Sequence, residues 1–260
     1  MYNYVKSDFY KIKRTKSIYI IFLLIAVVAS ITLIIMNQIA TGGMTADMGV
    51  NISLISDTML TGIFGGIILG DLVVDDFSTK FIHNKIVSGK GRASIVFSKL
   101  ISFALSFSIV LLAYVIVAIV AVISGEKFAS LAGIPSSFFD LIAGFSIQAN
   151  PQIAKCIFLC IVIVLCYIAR LSICLPVAFK TKKKIPVLVT GFVTSFVFDI
   201  VFSLIKDVAI ISDIMKSLPY YRITQLTINA SSGDVLVAVI SSVVFIAGMA
   251  GITYLLFRRD

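Results

Sequence analysis

Side chains that carry acid–base or metal chemistry are nearly absent from this chain, which holds a single histidine, His83, and a single glutamate, Glu126. A metalloprotease of the H-E-x-x-H kind is excluded, and so is a hydrolytic centre built on a histidine cluster. No phosphate-binding loop is present either. The motif G-x-x-x-x-G-K-[ST] needs a glycine where Asn84 stands, and the only Gly–Lys pair, Gly89–Lys90, is followed by Gly91. We therefore expect no enzyme and no metal or cofactor bound by this chain; any ATP must be held by another.

Charge of every kind is sparse: 13% of the 260 residues are charged against 59% hydrophobic, and the mean hydropathy is +1.08. That is too little polar surface to dissolve a globule, so the solvent of this fold is the bilayer. The four cysteines, Cys156, Cys160, Cys166 and Cys174, share one apolar stretch and lack the spacing of a metal knuckle. They read as small buried hydrophobes, with neither disulfide nor zinc expected. The charged N-terminus precedes an apolar run of about 20 residues with no A-x-A cleavage site behind it, which makes that run a retained first span. A net charge of +9 could suggest nucleic acid. Without a soluble basic domain or base-stacking aromatics, topology and anionic lipid explain the excess better, and no nucleic-acid partner is expected. No repeat and no low-complexity linker divides residues 1–260, which read as one membrane domain.

What the chain has in quantity is long apolar runs. Six of them, about 17–37, 54–74, 99–123, 154–178, 185–206 and 235–257, meet the length of about 20 residues that a spanning helix needs. Ahead of them, residues 1–16 place Tyr2, Val5, Phe9 and Ile12 at helical spacing opposite Lys6, Lys11, Lys13 and Arg14. That period predicts an amphipathic helix lying on the cytoplasmic leaflet, its aromatics in the headgroup layer and its bases toward anionic lipid, with a solvated basic tail as the plainer alternative.

Orientation follows from the bases beside the spans. The tail, the second-to-third loop, the fourth-to-fifth loop and the C-terminus hold 16 of the 22 Lys and Arg, whereas 38–53, 124–153 and 207–234 contribute only Lys127, Lys216 and Arg222. All four basic segments fall on one side, read as the cytoplasm, with both termini there and His83 and Glu126 on opposite sides. On the outer side, 128–150 and 207–229 are too apolar for plain loops. The second, with Ile210, Ile211, Ile214 and Met215 before Leu218, Pro219, Tyr220 and Tyr221, reads as an interfacial or re-entrant helix pair broken at Pro219. An outer cap with no transport duty is the plainer alternative. The charges read as intramembrane are Asp57, Asp71, Arg170 and Asp199. At that depth each costs at least about 2.5 kcal/mol, so partners or water are expected, with Arg170 and Asp199 as a candidate pair.

The most informative stretch is FGGIILGDLVVDDFSTKFIHNKIVSGKGRASIVFSKLI, residues 64–101. A span ends at Asp75–Asp76, an amphipathic stretch of about ten residues follows, and a glycine break leads through bases into the third span. A short helix beneath the membrane between two spans is a lever, since a push on it moves both. With Gly65, Gly66, Gly70, Asp76–Phe77, Thr79, Lys80, Asn84–Lys85, Gly89, Arg92 and Lys99–Leu100, the segment resembles that of ABC-2 type transporter permeases. The likeness is greatest to the short bacterial peptide-exporter and lantibiotic-immunity members, and Ser78 departs from the Gly that often precedes the Thr.

That resemblance implies an all-α integral membrane fold of six transmembrane helices with an N-terminal surface helix, a cytoplasmic coupling helix and a re-entrant outer segment before span six. It implies a permease subunit of an ATP-driven exporter in the bacterial plasma membrane. Its partners would be two copies of an ATPase subunit holding ATP and Mg, and a second permease copy or a sister permease. Its cargo would be a hydrophobic or amphipathic peptide, antimicrobial or toxin. The coupling helix falls on Phe81, Ile82, His83, Asn84, Lys85, Ile86 and Val87, with Arg92 beside it, and acidic substitutions at Ile82, Lys85 or Ile86 are expected to abolish docking. The competing reading is an ion-coupled secondary transporter or channel that uses Asp57, Asp71, Arg170 and Asp199 as a relay.

Overall fold

The computed structural model describes residues 2–44, 57–89, 91–130, 137–146, 153–205 and 218–259, of which 2–5, 146, 199–205, 224–225 and 259 are described by their backbone alone. Apolar runs bounded by Gly, Pro and charge become helices, and no strand occurs among the described residues. Helix α1 is Tyr2–Arg14, α2 Lys16–Ala40 and α3 Asp57–Ser78, the last containing a π-helical turn at Gly70–Val74. Then come α4 Phe81–Val87, α5 Arg92–Ser124, α6 Phe138–Ser146, α7 Ile153–Leu171 and α8 Cys174–Thr181. The chain ends with α9 Lys184–Ile205, α10 Pro219–Gln225 and α11 Ser232–Arg259.

Five segments are long and apolar enough to cross a bilayer: α2, α3, α5, α7 with α8 as Ile153–Thr181, and α11 up to Arg258. In α9 the described apolar stretch, Lys184–Phe198, is shorter. The architecture is that of a multi-pass, all-α membrane protein, in which the sixth crossing does not stand on helix length as the other five do.

Glycine sets the tightest contact. Antiparallel helices α3 and α9 meet with Lys184 beside Gly70, Leu188 beside Gly66, and Gly191 and Ser195 beside Gly62. A Cβ on Gly191 would stand 2.5 Å from the carbonyl oxygen of Gly62, and one on Gly66 2.9 Å from the Cα of Leu188. Backbones this close leave no room for side chains, and this is how helices gain dispersion contact where lipid is as apolar as leucine. Helix α3 is accordingly mostly buried. Helices α2 and α11 instead expose Ile20, Leu23, Val27 and Ile31, and Leu236, Ile240, Val244 and Leu255, surface that only lipid or another membrane helix can cover.

The short helices are packed, not draped. On α6, Phe138, Phe139, Leu141, Ile142 and Phe145 are all buried, and Phe138 stacks between Tyr114 at 5.2 Å and Tyr167 at 5.8 Å. Pro219 opens α10 at the first helical position, where its missing N–H is no loss. The preceding half of the expected outer helix pair, with Ile210, Ile211, Ile214 and Met215, lies outside the described residues.

Candidate functional site

The basic segments converge at one end of the bundle, around the feet of α3 and α5. Lys99, wholly buried at the start of α5, donates to Asp8 of α1 at 2.9 Å and to Asp76 of α3 at 2.5 Å. Ser102 donates to the other oxygen of Asp8 at 3.1 Å, and Lys11 completes the cluster on Asp76 at 2.9 Å. Buried charges are tolerable when paired and hydrogen-bonded in this way. Nearby, Asp71 on the π-helical turn accepts from Ser17 at 3.2 Å and from Lys184 at 2.7 Å, and Lys184 also reaches Asp75. Lys11 also lies 3.4 Å from the backbone carbonyl of Asp71, within the π-helical turn.

Helix α4 hangs from this cluster. Lys80 turns the chain at φ 57°, a left-handed conformation uncommon for a non-glycine residue, and Gly89 ends the element at φ 80°. Ile82 is fully buried and Lys85 nearly so, at 5% exposure. The Lys85 ammonium lies 4.3 Å from the Phe81 ring centroid. Burial, with Lys99 and Lys11 nearby, holds its pKa below the usual lysine value, while Asp8 and Asp76 act against the shift. Phe81, His83, Asn84 and Val87 face outward, Val87 at 88% exposure, with Ile86 half-buried. The residues expected to dock therefore divide. Ile82 and Lys85 hold the helix to its own protein, so acid at those positions strikes the fold first, and the surface open to a partner is Phe81, His83, Asn84 and Val87.

An aromatic knot fixes the same region. Phe77 meets Phe179 at 5.5 Å, Phe257 at 6.2 Å and His83 at 6.4 Å, all edge-on. Arg92 turns away from α4 and donates to the carbonyls of Phe257 and Arg258 at 2.8 and 2.7 Å, closing the C-terminus of α11. Thus α3, α4, α5, α8 and α11 share one joint.

Apart from Asp71, the charges read as intramembrane lie elsewhere. Asp57, fully buried, accepts from the backbone N–H groups of Ser137 and Phe138, each at 3.0 Å, and so caps α6 from another helix. Arg170 donates to the Ser195 carbonyl at 2.5 Å, its guanidinium lies 5.2 Å from the Tyr220 ring, and its own carbonyl accepts from the Tyr220 hydroxyl at 2.7 Å. Tyr220 stacks on Phe198 at 4.1 Å, so α10 reaches well into the bundle. Leu218 is half-buried at the start of α10, with Tyr221 half-buried one turn on. The side chain of Asp199 lies outside the described residues. His83 and Glu126 flank the 33-residue helix α5, roughly 50 Å of rise, and share no site. No group of three or more His, Cys, Asp or Glu that could hold a metal occurs among the described residues.

Asp8 is the residue of this cluster that the sequence pattern does not single out. Its signal was an acid standing alone among the bases of an amphipathic helix. The chain matches no protein-family model, and no curated protein matches it. The class defined by fold and geometry is a multi-pass integral membrane protein.

Proposed function

We propose that this chain is the permease subunit of an ATP-driven exporter of the ABC-2 type. In this reading α2, α3, α5, α7 with α8, α9 and α11 form six crossings with both termini in the cytoplasm. One observation carries the reading: a seven-residue helix, anchored by Ile82 and the aromatic knot, offers Phe81, His83, Asn84 and Val87 to the outside at the basic end. A helix held by both neighbouring long helices but bare on its far side is built to take force from a second protein. That protein would be an ATPase subunit, in two copies with ATP and Mg, and the path would form between this permease and a second copy or sister permease. A hydrophobic or amphipathic peptide suits it as cargo. Asp57, Asp71 and Arg170 have structural partners already, which weakens their use as an ion relay.

The test is co-purification from membranes with an ATP-binding subunit. Val87→Asp, at an exposed position, is expected to abolish association while leaving thermal stability unchanged; Ile82→Asp is expected to lower stability itself. Full association after Val87→Asp combined with His83→Glu would overturn the coupling-helix reading, as would the absence of any ATP-binding subunit.

A further inference from the structure

Helix α1 presents two unlike faces. Inward it turns Asp8 and Ile12, both buried, and Lys11; Asp8 and Lys11 are bound into the cluster around Lys99. Outward stand Lys6, Phe9, Tyr10, Lys13 and Arg14, with Phe9 and Tyr10 about half exposed and Arg14 stacked 4.7 Å over the Tyr10 ring. Phe9, expected on the same face as Ile12, is exposed where Ile12 is buried, so it stands at the border of the two faces. Asp8 is the helix's only acid and is committed to Lys99, so no carboxylate among the described residues balances the outward cations. The face passes at Thr15 into the exposed apolar side of α2, at Tyr19, Ile20 and Leu23, and the Tyr19 hydroxyl donates to the Lys13 carbonyl at 3.1 Å across the elbow. It therefore stands at the edge of the apolar belt, the level of lipid headgroups.

We propose that the outward face of α1 binds anionic lipid headgroups, and that Asp8 passes this restraint through Lys99 and Asp76 to the loop carrying Phe81–Val87. Each step has a physical basis. Interleaved aromatics and bases at a membrane boundary seat rings among headgroups and cations on phosphates. An acidic protein surface could satisfy the cations, but Phe9 and Tyr10 and continuity with the apolar belt favour lipid. The Asp8–Lys99–Asp76 chain is dry, so its charges are weakly screened and a displacement at one end is felt at the other. Asp76 stands five positions before Phe81, at the end of the helix that α4 follows.

The chain has no tryptophan, so Tyr10→Trp gives one site-specific fluorophore. The full chain carrying this change would be placed in nanodiscs with a tryptophan-free scaffold, of phosphatidylcholine alone or mixed with phosphatidylglycerol. Emission is expected at shorter wavelength in the anionic discs. The difference should shrink in about 1 M salt, where the screening length falls to about 3 Å. It should vanish when Lys13→Gln and Arg14→Gln, both at exposed positions, are added. Amide exchange over 81–87 in the unsubstituted chain is expected to be several-fold slower in the anionic discs, and the lipid effect to be lost with Lys13→Gln and Arg14→Gln. Equal emission in both discs, or a response that survives those two changes, overturns the lipid contact. A fluorescence response with unchanged exchange over 81–87 overturns the linkage. No ATP-binding subunit is present, so the outcome does not depend on the export reading.

Discussion

Lys99 stands between two buried carboxylates, 2.9 Å from Asp8 and 2.5 Å from Asp76. Its ammonium cancels charge that would otherwise force α1 and α3 apart. Lys99→Met leaves both acids buried with less compensation, and removing one partner of a buried pair costs about 3–5 kcal/mol. The expected outcome is a sharply lower melting temperature in detergent, partly restored by adding Asp8→Asn. A double variant whose loss equals the sum of the single losses would sink the idea that the two residues act as a unit. None of this was visible in the pattern. In the sequence Lys99 reads as a base at the entry to a span and Asp76 as half of an acidic pair, both within the family likeness, and neither reading pairs them. Hydropathy can place a charge at a boundary, but it cannot show that a helix 91 positions earlier delivers the acid that meets it.

At the scale of elements, continuous apolar runs were easily read because the bilayer demands them, and the helix at 16–40 extends the expected 17–37 by only a few residues. The short helices were not. Residues 128–150 looked merely too apolar for a loop, and no local spacing reveals that Asp57 supplies the acceptor at the start of α6. The small residues Gly65, Gly66 and Gly70 carry the family likeness, whereas in the fold Gly65 and Gly66 let Leu171 and Leu188 approach closely and Gly70 packs beside Lys184 at ordinary contact distance. Asp57 offers the cleaner test, because a cap can be separated from a charge. Asp57→Ala strands two buried N–H groups at about 1–3 kcal/mol each, whereas Asp57→Asn keeps an acceptor. Thermal unfolding should rank wild type, then Asn, then Ala; equal losses for Asn and Ala would show that charge, not capping, is what α6 requires.

For the whole molecule the open quantity is the number of crossings, and the packing of α9 bears on it directly. From Lys184 beside Gly70 to Ser195 beside Gly62, α9 lies antiparallel along a helix that is itself long enough to cross, with backbones too close for lipid between them. A helix so placed shares the depth of its neighbour, which argues for a sixth crossing even though its described apolar stretch is short. Two exposed serines turn this into a decision. With six crossings, Ser88, just beyond α4, and Ser231, just before α11, face opposite sides of the membrane; with α9 failing to cross, they face the same side. The four native cysteines are all buried, so background labelling should be low. In intact cells, a membrane-impermeant maleimide is expected to label Ser231→Cys and to reach Ser88→Cys only after the membrane is opened. Labelling of both from one side would give five crossings and, with α11 starting on the inside, would put the C-terminus outside and separate it from the N-terminal helix. That result would be incompatible with the Arg92 contacts to Phe257 and Arg258 at the basic end, so the two serines test the fold as well as the count.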